Sequence, residues 1–217
     1  MKKIKLRFFI LLIFIFMVKS INAQNLQTTN ENRIVFIGNS ITENWKKLDL
    51  AFFSNKNYIN KGISGQTTPQ ILNRFKKDVV DLKPNLVIIL AGTNDIAQNT
   101  GPITIKEISE NIFAMAELAK ENNIKVIISS VLPAFDFPWR QGLHPAKKII
   151  TLNEILKKYA YENRIVYLDY YSTMVDTQMG LKDKYTYDGV HPNKNGYQIM
   201  VPLAEKAIAK TLAYKMD

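Results

Sequence analysis

Ser40, Gly65, Asn94, Asp188 and His191 of this 217-residue chain together offer the groups that acyl transfer from an ester needs. That chemistry asks for a nucleophile, a base to take its proton, and donors for the oxyanion that develops on the carbonyl. Ser40 can supply the hydroxyl. Histidine exchanges a proton near neutral pH, so His191 can be the base. Asp188 stands three residues earlier, where a carboxylate can hold the imidazole in one tautomer. The N–H groups of Ser40 and Gly65, with the side-chain amide of Asn94, can surround an alkoxide, each donor being worth typically about 3 kcal/mol of barrier. Taken singly, each residue also has a plainer role. Ser40 could cap a helix, Asp188-Gly189 could only turn the chain, Asn94 and Asp95 could cap a loop, and Gly65 could serve backbone geometry.

The elements that must position these residues decide between the two readings. Arg33 to Ile37 reads as a buried strand, apolar after its first residue, and Gly38-Asn39-Ser40 leads from it into a helix over Thr42 to Phe53. Asn57 to Asn60 predicts a weaker second strand, followed by the glycine-punctuated loop Lys61 to Pro69 and a helix over Pro69 to Leu82. Leu86 to Leu90 is the clearest strand, and Ala91-Gly92-Thr93-Asn94-Asp95 follows it directly. Ile105, Ile108, Ile112, Met115 and Ala119 recur at helical spacing. Lys125 to Val131 predicts a fourth strand, Ala146 to Glu162 a helix, and Ile165 to Leu168 a fifth strand. A polar, turn-rich region over Lys182 to Asn195 precedes a last helix, with Pro202 awkward near its beginning.

Strand and helix thus alternate five times, which predicts one α/β domain: a three-layer α/β/α sandwich around a parallel sheet with right-handed crossovers. All strand carboxyl ends then share one edge, where Ser40, Gly65 and Asn94 converge. His191 joins them if its loop folds back over that edge. The joint placement favours chemistry over four separate structural roles.

Residues 1–23 stand apart from this domain. Lys2, Lys3, Lys5 and Arg7 precede the apolar run Phe8 to Val18, and Ile21-Asn22-Ala23 offers a small residue for cleavage, the layout of a secretory signal peptide cut after Ala23. As a helix that run would reach only about 16 Å against a hydrocarbon core of about 30 Å. The expected organisation is a signal peptide (1–23), a short lead-in (24–32) and the domain (33–217), with the protein exported to the periplasm or the extracellular space and keeping no membrane span. Five of the 29 Lys and Arg lie in residues 1–23 and none of the 19 Asp and Glu do, so the mature charge is 24 − 19 = +5 rather than +10. Scattered lysines read as a solvated surface, not a nucleic-acid footprint. The chain has no cysteine and two histidines, which excludes disulfides and speaks against structural zinc.

Gly38-Asn39-Ser40-Ile41-Thr42, Gly62-Ile63-Ser64-Gly65, Gly92-Thr93-Asn94-Asp95 and Asp188-Gly189-Val190-His191-Pro192 resemble, in order and spacing, the four blocks of the SGNH (GDSL-like) hydrolases. The resemblance spans the whole mature chain. It implies a flavodoxin-like five-stranded parallel sheet in the order 2-1-3-4-5 and a serine esterase that needs no cofactor or metal. It assigns Ser40, His191 and Asp188 to a triad, with Ser40, Gly65 and Asn94 at the oxyanion hole. Asn39 departs from the family, which often has aspartate there, and the departure concerns the local loop.

Ser64 lacks the Gly-x-Ser-x-Gly spacing of a nucleophile elbow. His144 has no aspartate three residues before it and reads as a helix-entry or pocket-rim residue. Substrate choice rests on the loop Leu132 to Leu143. Trp139 and Arg140 could line a pocket, an aromatic face suiting a sugar ring and a guanidinium a carboxylate, or Phe135, Phe137 and Trp139 could simply fold the loop onto the core. The expected substrate is a small-molecule or carbohydrate ester with an acetyl or other short acyl group. A lysophospholipase- or acetylhydrolase-like action on lipid esters is the alternative, although no long amphipathic lid favours it. A non-catalytic carbohydrate-binding module would not need Ser40, Asn94, Asp188 and His191 together, and no Gly-x-Gly-x-x-Gly or Walker-type loop supports a nucleotide or flavin binder.

Overall fold

The computed structural model describes residues 32–54 and 57–214, and the proposed signal peptide and most of the lead-in lie outside them. Five strands, β1 (Ile34–Gly38), β2 (Tyr58–Gly62), β3 (Leu86–Leu90), β4 (Lys125–Ser129) and β5 (Val166–Leu168), form a wholly parallel sheet in the order β2-β1-β3-β4-β5. The expected topology is the one found.

The sheet is covered on both faces, which is why β1 and β3 are apolar without alternation and buried along their full length. Side chains still alternate between two cores. Val35, Ile37, Val87, Ile89, Val126 and Ile128 face α3 (Thr68–Asp78), α5 (Ile105–Glu121) and α6 (Ala146–Glu162), meeting Ile71, Phe75, Ile112, Met115, Ile149 and Leu152. Ile34, Phe36, Leu86, Ile88 and Ile127 face α1 (Ser40–Leu48), α2 (Leu50–Ser54) and α8 (Lys194–Ala213). Two one-turn helices, α4 (Thr93–Ile96) and α7 (Tyr171–Met174), follow the ends of β3 and β5.

The second core matters for the site because it fixes α1 against α8. Trp45 stacks on Phe52 at 4.9 Å and on Tyr197 at 5.5 Å, with Phe36 edge-on beneath. The Tyr197 hydroxyl donates to the Ile41 carbonyl at 2.7 Å. Since Ser40 opens α1 and His191 lies three residues before α8, this aromatic contact brings their two loops together.

Several boundaries differ from expectation, each for a local reason. The first helix begins at Ser40 rather than Thr42, because the Asn39 side chain accepts from Ile41 N–H at 3.0 Å and is the N-cap. It breaks at Asp49, whose carboxylate accepts from Phe52 N–H at 3.2 Å and starts α2. The helix expected over Pro69 to Leu82 stops at Asp78 and continues as a 3-10 turn, Val80–Leu82. The second strand runs later than expected, to Gly62, and the fourth ends at Ser129 because Val131 leaves the ladder for Asn153, whose side chain accepts its N–H and donates to its carbonyl. Pro202 sits inside α8, not near its edge. It is exposed, so water can reach the carbonyl its missing N–H leaves free, while buried Met200, Ala204 and Ala207 hold the helix through the interruption.

Candidate active site

Asn39, buried and capping α1, places Ser40 at the first helical position. An N–H at that position has no intrahelical acceptor, and the helix end favours negative charge in front of it. The Ser40 hydroxyl lies 3.0 Å from His191 Nε2. His191 Nδ1 lies 2.7 Å from Asp188 Oδ2, while Asp188 Oδ1 accepts from the backbone N–H of Val190 and His191. Burial pulls the Asp188 carboxyl up, but the His191 N–H, the His191 imidazole and the Val190 N–H together more than offset it and hold the group below the ordinary carboxylate range. An ionised carboxylate only accepts, so Nδ1 carries the hydrogen and Nε2 offers its lone pair to the Ser40 hydroxyl. The loop holding this pair is closed by Thr186, whose hydroxyl donates to the His191 carbonyl and accepts from Gly189 N–H. The polar segment before α8 thus folds back over the sheet edge.

Gly65 and Asn94, from neighbouring loops, line the same cavity as this hydroxyl. Gly65 has φ +78°, a left-handed conformation that other residues adopt at a cost, and its missing Cβ faces open space. On either side of it, Ser64 N–H is bonded to Glu43 and Gln66 N–H to the Ile63 carbonyl, leaving Gly65 N–H between them to be offered to a ligand. Asn94, on α4, is buried and donates one amide hydrogen to the Gln66 carbonyl at 2.9 Å, so its second hydrogen is available. Ser40, Asn44, Ser64, Gly65, Asn94, Asn99, Trp139 and His191 line a cavity of about 340 Å³. Among the described residues no three His, Asp or Glu side chains are grouped as metal ligands.

Trp139 lines this cavity, 43% exposed, with its ring 5.8 Å from the imidazole and its indole N–H on the Asn99 side-chain oxygen at 3.0 Å. Buried Phe137 packs beneath it, so one aromatic serves the core and the other the cavity. Arg140 does not line the cavity: its guanidinium donates to the Gln98 carbonyl at 2.7 Å and latches the loop to the chain after α4. The Ser64 hydroxyl donates to Glu43, and among the described residues it makes no hydrogen bond to a histidine. His144 is exposed, outside the cavity, just ahead of α6.

Asn44, Asn99 and Glu43 escaped the sequence reading. Asn44 lies four residues after Ser40 on α1, a spacing of one turn that could have flagged it, whereas Asn99 lies beyond the end of α4 and carries no such signal. Glu43 accepts from Lys47 and from both the hydroxyl and the N–H of Ser64, and these bonds, Lys47 foremost, hold its pKa down at about 2.

The model of the GDSL-like Lipase/Acylhydrolase family matches residues 36–199. A solved GDSL-like lipase from Bacteroides thetaiotaomicron is 50% identical with a TM-score of 0.81, over 82% of this chain and 88% of that one. The human platelet-activating factor acetylhydrolase IB subunit alpha2 is 26% identical over 81% of this chain and 76% of its own. An uncharacterized lipoprotein of Bacillus subtilis is 33% identical over 38% of this chain, so the chain spans about a third of that relative's length. The family match takes in the strands, the crossovers and all five residues of the serine-centred cluster, and the chain belongs to the GDSL-like lipase/acylhydrolase family, a family of ester hydrolases.

Proposed function

We propose that this ester hydrolase uses Ser40, His191 and Asp188 as a catalytic triad to remove acetyl or other short acyl groups, with carbohydrate esters as substrate. The observation that carries the reading is the unbroken relay from Ser40 Oγ to His191 Nε2 at 3.0 Å and from Nδ1 to Asp188 at 2.7 Å. Ser40 Oγ adds to the ester carbonyl carbon as its proton passes to Nε2. The oxygen that becomes negative is met by the N–H groups of Ser40 and Gly65 and the Asn94 amide. As the intermediate collapses, the imidazolium returns the proton to the departing alcohol and leaves an acyl-serine. Water, deprotonated by the same nitrogen, then releases the acid and restores the hydroxyl.

The lining supports the short-acyl, carbohydrate preference. Asn44, Ser64 and Asn99 present polar groups, the one aromatic face is Trp139, and no aliphatic side chain is among the eight residues. A long acyl chain would have little apolar surface to bury, whereas a sugar ring can stack on the indole and bond to the amides. The second reading is acetyl removal from a lipid, supported by the 26% likeness to a platelet-activating factor acetylhydrolase subunit. Export is part of the proposal and is supported by the basic and apolar pattern of residues 1–23.

The test is hydrolysis of nitrophenyl esters from acetate to octanoate by wild type and Ser40→Ala. Activity that needs Ser40 and falls steeply beyond acetate is expected. Rates that rise with chain length would move the reading to lipid esters. Wild-type rates from Ser40→Ala would refute the nucleophile, and a folded protein inert on every ester would favour a binding role.

A further inference from the structure

Resting on that reading, we infer that Arg74 is a positioning residue that sets the oxyanion hole from behind, tying the turn before Ser40 to the loop that carries Gly65. Arg74 lies on α3, its side chain 12% exposed, and it does not line the cavity. Its guanidinium makes three bonds in three directions. Nη2 donates to the Gly38 carbonyl at 3.0 Å, Nε to the Gln66 side-chain oxygen at 2.6 Å, and Nη1 to Asp78 at 2.8 Å.

The first two partners are what set this residue apart from a structural ion pair. Gly38 is two residues before Ser40, and its carbonyl also accepts from Ile63 N–H. Gln66 directly follows Gly65, and its own carbonyl takes the Asn94 amide. One rigid plane therefore touches the segment behind the first donor and the residue between the second and the third. Asp78, which also binds Lys61 at 3.2 Å, supplies the countercharge that keeps a cation in so enclosed a place. A lysine could satisfy Asp78, but a single ammonium on a flexible stem cannot hold Gly38 and Gln66 at a fixed separation. Oxyanion donors act through geometry, and a displacement of about 1 Å can cost about a hundredfold in rate.

The test uses Arg74→Lys, which keeps the charge for Asp78, and Gln66→Met, which removes one acceptor and leaves the Arg74-Asp78-Lys61 cluster intact. With nitrophenyl acetate, kcat should fall about tenfold or more in each variant, with KM within about twofold and little change in melting temperature. Combined with Asn94→Ala, the Arg74→Lys loss should be smaller than the product of the two single losses, since both act on one oxyanion. Wild-type kcat in both variants, or losses that multiply fully with Asn94→Ala, would overturn the role. Absence of Ser40-dependent turnover in the wild type would instead overturn the esterase reading, and the role of Arg74 with it.

Discussion

Asp188 divides its carboxylate between two kinds of partner. Oδ1 takes two backbone N–H groups and fixes the loop, while Oδ2 takes the imidazole and fixes the tautomer. Because the folded pKa lies below the ordinary value, the stabilisation the ionised group brings is fully present above about pH 4 and is lost as pH falls through the folded pKa. Neutral pH therefore leaves Asp188 ionised. Asp188→Asn keeps a carbonyl oxygen for the loop but replaces the acceptor facing Nδ1 with an amide. That favours the tautomer with its hydrogen on Nε2, which cannot take the Ser40 proton. We expect kcat for nitrophenyl acetate to fall by a factor on the order of 10⁴, with KM and melting temperature changed little. A loss below tenfold would mean that another group orients His191.

At the scale of elements, the site depends on how closely α1 lies against β2. A Cβ placed on Gly62 would sit 2.1 Å from Glu43 N and 2.7 Å from Glu43 Cα, both backbone atoms of the first turn of α1. That turn carries Ser40. Gly62→Ala must push helix and strand apart, so we expect a loss of roughly 1–3 kcal/mol or more in urea unfolding, together with reduced turnover by the fraction that remains folded. Unchanged stability would show that α1 and β2 can part by enough to admit a methyl group. This same dependence explains what the sequence made legible. Leu86 to Leu90 and Ala146 to Glu162 were read at their observed limits, because a buried run and a helical period are written in consecutive residues. Ser40, Gly65 and Asn94 were readable because every strand of a parallel sheet ends at one edge, and His191 because its block kept order and spacing. Arg74 was not readable, since its acceptor Gly38 lies 36 residues away and nothing in the local pattern distinguishes it from other helical arginines. The start of α1 was missed for a similar reason: Asn39 permits a cap, but only the folded turn shows that it makes one.

For the whole molecule, four carboxylates at the site end respond to pH in opposed directions. Burial raises Asp78, but Arg74 and Lys61 more than offset it and hold the pKa below the ordinary value, as Lys47 and Ser64 hold Glu43 at about 2 and the His191 loop holds Asp188. Each of these three favours the folded state above its ordinary pKa and loses that contribution as pH falls through the folded value. Asp95 behaves the other way. It is 1% exposed, and burial raises its pKa although Thr68 donates to it from both N–H and hydroxyl. Its protonation favours folding below the ordinary value, and that contribution is lost as pH rises through the raised one. On acidification from neutrality Asp95 therefore takes up its proton first and gains, before the other three begin to lose. Asp95→Asn removes only the opposing group, and the remaining titrations are common to both proteins and cancel in the difference. Urea unfolding between pH 7 and pH 3 should show the variant losing more stability across that range than the wild type, with the divergence beginning above about pH 4. Parallel curves would mean that Asp95 ionises as freely in the fold as in the unfolded chain, and that the buried junction between Asn94 and the start of α3 is wetter than its hydrogen bonds indicate.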